Sequence, residues 1–321
     1  MSTENLLERL ARAFRGRLGT VRPPQAFVLT PDRLVHVSRP GKGGAAAGVR
    51  VRAASLPPGT LREGPSGVPV AEAGLTSAIG SLLVDEESKG FSAASLAVPD
   101  EFVRALAVDV EPGTEENASE VEEVLRWKLD RAFGEGAPAL RLSWRPAGVG
   151  KGGATRILAL AVPEEAAASW EAAFAANGIR IGALEPASLA FASLGRLALG
   201  DDGFVVWADG GTVSTLFFEK AALRFLRTKP DDGDPDETLQ EIRLMASFVA
   251  GGLEETALDV SGALVAGPAS SPVTARLAEF RRSSGGPEPV ALDAALARWG
   301  LPPTADDPAL LVGLGLLAGE E

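Results

Sequence analysis

The stretch Phe204-Val-Val-Trp-Ala-Asp209-Gly-Gly-Thr-Val-Ser-Thr215-Leu-Phe-Phe218 sets two apolar, Val- and Phe-rich runs on either side of an acid, two glycines and small hydroxyl residues. Apolar β-formers flanking Asp-Gly-Gly predict a hairpin. A glycine-rich turn with adjacent hydroxyls is also one way for a backbone to wrap a phosphate. On that reading Asp209 holds Mg through water while Gly210, Gly211 and Thr212 donate amides to phosphate. The plainer reading is a turn that uses glycine for positive φ.

Outward from this hairpin, the same order of elements occurs twice. Strands are predicted at 26–29, 34–38 and 49–53, a helix at 71–84 and a strand at 94–98. The hairpin and 222–228 again make three strands, followed by a helix from Pro235 to Gly252 and a strand at 262–266. Asp234 is the expected cap of that helix, with Pro235 at its first position. Between the two sets lies a strand–helix–strand–strand–helix unit. It comprises 102–110, a helix at 117–133 with a Val121, Val124, Leu125, Leu129 stripe and a Ser119/Glu122 capping box, 140–144, 156–162 and a helix from Pro163 to Asn177-Gly178. A helix from Glu185 returns the chain to the first set. Others are expected near 271–282 and 308–318, with a short strand near 288–292. Residues 4–18 place Leu6, Leu7, Leu10, Phe14 and Leu18 on one face and four arginines on much of the remainder, a basic amphipathic helix suited to a core, a partner groove or an anionic membrane.

Composition narrows the chemistry. The 321 residues carry a net charge of −12, which argues against nucleic acid as a main partner. With no cysteine and a single histidine, His36, thiol chemistry and His-based zinc clusters are excluded. His36 lacks acid–nucleophile company for a triad. Asp232, Asp234 and Asp236 alternate like a calcium loop, but Glu237 and Arg243 stand where glycine and glutamate are needed, so the run reads as carboxylates at a helix N-terminus. Gly41-Lys-Gly-Gly and Gly150-Lys-Gly-Gly lack phosphate-loop spacing and read as hairpin tips. Trp127, Trp144 and Trp170 are expected to be core or interface anchors. No run approaches the ~20 apolar residues of a membrane span, and the chain is expected to be cytoplasmic.

The duplicated order resembles the actin-like ATPase superfamily, in which two ribonuclease-H-like lobes face a nucleotide cleft. The unit near 100–184 resembles the extra subdomain of the FtsA/PilM branch. Local likenesses to PilM-type type IV pilus assembly proteins, and more distantly to GspL cytoplasmic domains, lie in Ser95–Asp100, Glu120–Trp127, Val162–Glu165, Ala175–Ile179 leading to Leu184–Ala190, Val205–Thr215 and Leu310–Ala318. The resemblance implies an α/β actin-like fold: an amphipathic helix at 1–24, a first lobe from 25–99 and 185–200, an inserted subdomain at 100–184 and a second lobe at 201–321. Its nucleotide-contacting positions would be Asp209, Gly210, Gly211, Thr212, Ser214, Thr215 and Gly267.

Two of the three loops depart from the nucleotide-binding pattern. The turn at Thr30-Pro-Asp-Arg33 has no glycine, and Pro31 lacks an amide donor. In Leu264-Val-Ala-Gly-Pro268 a proline replaces the second glycine. The expectation is therefore a non-catalytic scaffold without a resident cofactor. It would bind the N-terminal tail of a PilN-like inner-membrane protein near the inserted subdomain and couple it to a motor ATPase, peripheral to the membrane. The alternative is an active ATPase binding Mg-ATP between the lobes; a third expectation is actin-like self-association.

Overall fold

The computed structural model describes residues 23–38, 49–63, 69–71, 73–83, 93–133, 139–199, 202–209, 211–220, 222–252, 263–268, 270–284 and 307–318. The expected N-terminal helix at 4–18, the loop at 40–48, the strand near 288–292 and Gly210 lie outside them.

Two sheets form the body. Strands β1 (Gln25–Leu29), β2 (Arg33–Ser38), β3 (Arg50–Ser55), β6 (Ala93–Val98) and β10 (Arg180–Pro186) pair in the order β10-β6-β1-β2-β3. The second sheet has β11 (Gly203–Ala208), β12 (Thr212–Glu219), β13 (Ala222–Pro230) and β14 (Ala263–Ala266) in the order β13-β12-β11-β14. In each, the first three strands meander antiparallel and the first then pairs parallel with the strand that follows the helix. The duplicated order predicted from the sequence is thus a duplicated topology. A short hairpin of β4 (Leu61–Glu63) and β5 (Pro69–Ala71) follows β3, and helix α1 (Ala73–Leu82) comes after it.

The inserted unit is a third sheet, β7 (Arg104–Val110), β9 (Thr155–Pro163) and β8 (Leu140–Val149), in the order β7-β9-β8 and covered by helix α2 (Ala118–Phe133). Val121, Leu125 and Leu129 of the predicted stripe are buried. The capping pair lies two residues earlier than expected. Asn117 precedes the helix, its carbonyl accepting from Val121 N and its side chain facing Glu120, because a compact turn at Thr114–Glu116 feeds directly into it. Helix α3 (Glu164–Ala175) starts after Pro163 and ends in a left-handed Gly178 (φ 74°), with Ile179 N donating to Phe174 O. Gly150–Gly153 is a hairpin tip between β8 and β9, as expected.

The sequence pattern missed β10. Helix α4 begins at Ala187 (Ala187–Leu199), and the seven residues before it form a strand parallel to β6 with a register shift at Gly182. A segment with one glycine and a terminal proline carries little intrinsic strand signal; pairing with β6 decides it.

Helices α5 (Pro235–Gly252), α6 (Ser270–Ser284) and α7 (Pro308–Ala318) complete the chain. Asp234 caps α5 as predicted, its carboxylate accepting from Asp236 N at 2.8 Å. Alternation along the central strands explains their unbroken apolar runs. Val28, Val205 and Trp207 face a shared core with α4 and α7, while Phe27 and Leu29 face α1 and α3, and Phe204 and Val206 face α5 and α6. Strands covered on both faces must be apolar on both. His36 is buried in β2, stacked on Phe27 with ring centroids 4.5 Å apart and donating from Nε2 to Gln25 Oε1 at 3.1 Å. Burial, aided by the charge of Arg52, lowers its pKa to about 4, so it is a neutral core residue at physiological pH.

Candidate functional site

The predicted phosphate turn joins β11 to β12. Asp209 Oδ1 accepts from the amides of Gly211 (2.9 Å) and Thr212 (2.6 Å), and Oδ2 from the Thr212 hydroxyl (3.1 Å). Two of the predicted phosphate donors, the amides of Gly211 and Thr212, are therefore engaged by the turn's own carboxylate, a local Asx arrangement. Ser214 and Thr215 do not stand on this turn. Both are buried two and three positions beyond Thr212 in β12, on opposite faces of the sheet.

The turn between β1 and β2 is also closed on itself. Thr30 Oγ1 donates to Asp32 Oδ1 and accepts from Arg33 N, while the Thr30 amide donates to Arg33 O. The Arg33 guanidinium forms a two-pronged pair with Asp307 at 2.7 and 3.0 Å, and Asp307 in turn caps α7. Gly267, at the end of β14, has φ 110°, and a side chain there would collide with the Ala208 backbone. Its glycine is accounted for by close strand approach. Among the described residues, no cluster of acids and histidines suits a metal ion. As they stand, these turns hold the Gly211 and Thr212 amides on Asp209 and the Thr30 amide on Arg33 O.

Sequence reasoning assigned no role to Asp100, which lies where the first sheet, α4 and the second sheet meet. It is fully buried. Oδ1 accepts from Ser188 N in the first turn of α4 at 2.9 Å, Oδ2 accepts from the Ser214 hydroxyl, and Ser214 is within 2.8 Å of the Thr228 hydroxyl. Burial raises its pKa to about 6 against the effect of these hydrogen bonds, and the charge of Asp209 adds to the rise. Neighbouring Glu101 is raised too, by burial and then by Asp209. In the sequence, Asp100 stood out only as the residue after Pro99 at a strand end and as the last of the Ser95–Asp100 likeness.

A sizeable concave feature lies elsewhere, between the inserted subdomain and the first sheet. A groove of about 610 Å³ runs between Leu142, Trp144 and Leu160 on one side and Ile181, Ala183 and Leu184 on the other. Two strand edges flank it: β8 ends the three-stranded sheet and β10 ends the five-stranded sheet. Its lining is mainly apolar, with Arg141, Arg145, Glu171 and Glu185 as polar points. Arg141 is fixed by bonds to Glu164 and Glu171 of α3, which ties the end of β8 to that helix. Trp144 thus lies in a groove and Trp170 is fully buried, as core and interface anchors should be, whereas Trp127 is 55% exposed beneath the guanidinium of Arg131. The groove was invisible in the sequence because one wall is the missed strand β10.

No family model matches the chain, and no curated protein matches its sequence. Solved structures do. A chain of the PilM–PilN type IV pilus biogenesis complex superposes with a TM-score of 0.65 at 18% identity, covering 94% of this chain and 100% of its own. A Bacteroides thetaiotaomicron protein of actin-like ATPase fold and unknown function gives a TM-score of 0.49 at 9% identity, with 94% and 97% covered. The cytoplasmic domain of EpsL, an inner-membrane component of the type II secretion system of Vibrio cholerae, gives 0.48 at 11% identity, with 92% and 95% covered. With its duplicated sheets and its inserted three-stranded unit, the chain has the actin-like ATPase fold in its PilM-type form, two ribonuclease-H-like lobes with a small α/β subdomain set into the first.

Proposed function

We propose that the chain is a non-catalytic cytoplasmic scaffold of a type IV pilus or type II secretion-like machine. It binds the N-terminal cytoplasmic tail of a PilN-like inner-membrane protein, is held at the membrane through that partner, and links it to the motor ATPase. The observation that carries this reading is the groove between β8 and β10, in a chain whose fold matches a chain of the PilM–PilN complex over its full length. Extended peptides bind at such places by hydrogen-bonding along a strand edge and seating alternate side chains in apolar pockets. Residues 25–99 with 185–200, 100–184 and 201–321 are proposed as the two lobes and the insert, so that the groove lies at a boundary between two units.

The test is fluorescence anisotropy with a labelled peptide of a PilN-like tail. Saturable micromolar binding is expected, weakened at least tenfold by Ala183→Arg, which fills the groove from a half-buried position on β10 while leaving the melting temperature nearly unchanged. Absence of binding, or equal binding by the variant, overturns the proposal.

The ATPase alternative makes the opposite prediction about the turns. Since the amides of Gly211 and Thr212 are engaged by Asp209, calorimetry with Mg-ATP is expected to give no saturable heat up to millimolar nucleotide. Micromolar binding abolished by Asp209→Ala would establish the enzyme reading instead.

A further inference from the structure

Beside the groove lies a second cavity, of about 370 Å³, at the junction of three parts of the molecule. Helix α4 contributes Ser193 and Arg196, β13 of the second lobe contributes Arg224, and β8 of the insert contributes Arg145. The whole chain has 43 acidic and 31 basic residues, yet among the described residues the lining holds three arginines and no acid.

The arginines are held differently. Arg224 is fixed, its NH1 donating to Ala147 O at 2.8 Å and its Nε to Glu219 at 3.1 Å. Its guanidinium occupies the space beside Gly148 (φ 112°), where any side chain would strike it. Arg196 is half-buried and makes no hydrogen bond or ion pair with another described residue. A bound anion would supply the counter-charge that Arg196 lacks among the described residues. Ser193 stands one turn before Arg196 on the same face of α4 and adds a hydroxyl donor. Such a volume suits a small ligand, and planar guanidinium forks contributed by three different elements suit tetrahedral phosphate with its several acceptor oxygens.

We infer that this cavity is a binding site for a small phosphate-bearing anion, with Arg145, Arg196, Arg224 and Ser193 as its polar contacts. The site is separate from the Asp209 turn, which does not line it, and does not depend on the peptide reading. Arg145, Leu189, Ser193 and Leu223 line both the cavity and the groove, so an anion bound here sits against whatever occupies the groove.

The test is calorimetry on the full chain with inorganic pyrophosphate, orthophosphate and succinate. Pyrophosphate is expected to bind saturably and at least tenfold more tightly than succinate. Arg196→Gln and Arg145→Gln should each weaken it at least tenfold while keeping the wild-type circular dichroism and melting temperature, and Asp209→Ala should leave it unchanged. The proposal is overturned by the absence of saturable heat with any of the three anions, by wild-type affinity in both arginine variants, or by loss of binding in Asp209→Ala. Succinate binding as tightly as pyrophosphate overturns the phosphate assignment.

Discussion

Replacing Gly315 with valine should destabilise the protein by about 3 kcal/mol, among the largest effects expected of any single substitution here. Gly315 lies on α7 where that helix crosses α4, and a Cβ there would overlap the carbonyl oxygen of Ala190. The obstacle is helix backbone, so no rotamer change relieves it; the helices must separate. They form the layer between the two sheets, packing Phe191 and Leu194 of one and Leu311, Val312 and Leu316 of the other against residues of both sheets. Separating them therefore loosens both lobes at once. Urea denaturation monitored by Trp fluorescence measures the loss. Gly195→Ala is the control: a Cβ there would meet terminal methyl groups of Val205 and Leu264 at 3.1 and 3.2 Å, which can give way, and the cost should be well under half as large. Equal costs would show that the α4–α7 crossing is not the tight point.

The second large effect is at Asp100. Truncation to alanine leaves the Ser188 amide and the Ser214 hydroxyl without their acceptor in a buried site and should cost roughly 2–4 kcal/mol. Asparagine retains an acceptor for Ser188 N and removes the charge, so Asp100→Asn isolates the electrostatic part. The folded-state pKa of Asp100 is raised from 3.8 to about 6, so across that window the folded protein binds more protons than the unfolded chain. Stability from this group is present at low pH and is lost as pH rises through about 6. His36 acts oppositely. Its pKa falls from 6.5 to about 4, so its contribution is present above 6.5 and lost as pH falls through about 4. The two slopes offset each other in the wild type. Asp100→Asn should unmask the histidine, so that the variant's stability rises from pH 4 to 6.5 while that of the wild type stays nearly flat. Relative to wild type the variant should gain up to roughly 3 kcal/mol over this interval. Parallel pH profiles of the two proteins would show that Asp100 titrates normally.

Much of the fold was legible because its signals are local. Doubly buried strands must be apolar throughout, and β1, β2, β11 and β12 announce themselves that way. Asp234-Pro235 and Asn177-Gly178 mark helix ends through hydrogen bonds made within a few residues. The order of these elements, occurring twice, was enough to point to the fold. β10 was not legible: its strand geometry comes from pairing with β6, 87 to 88 positions earlier in the chain.

The phosphate-turn residues show the same division. That Asp209, Gly211 and Thr212 form a turn follows from residue types alone. That Asp209 accepts from those amides is a local contact as well, whereas the place of Ser214 in the Asp100 network and the hold of Asp307 on Arg33 are facts of placement between distant segments. Sequence by itself determined where the chain turns, which segments are buried and that the architecture is duplicated, since these depend on side-chain type and near neighbours. Tertiary structure alone decided what the buried Asp100 carboxylate holds, where two sheet edges leave a groove and which arginines line one cavity, because each requires groups far apart in sequence to come together.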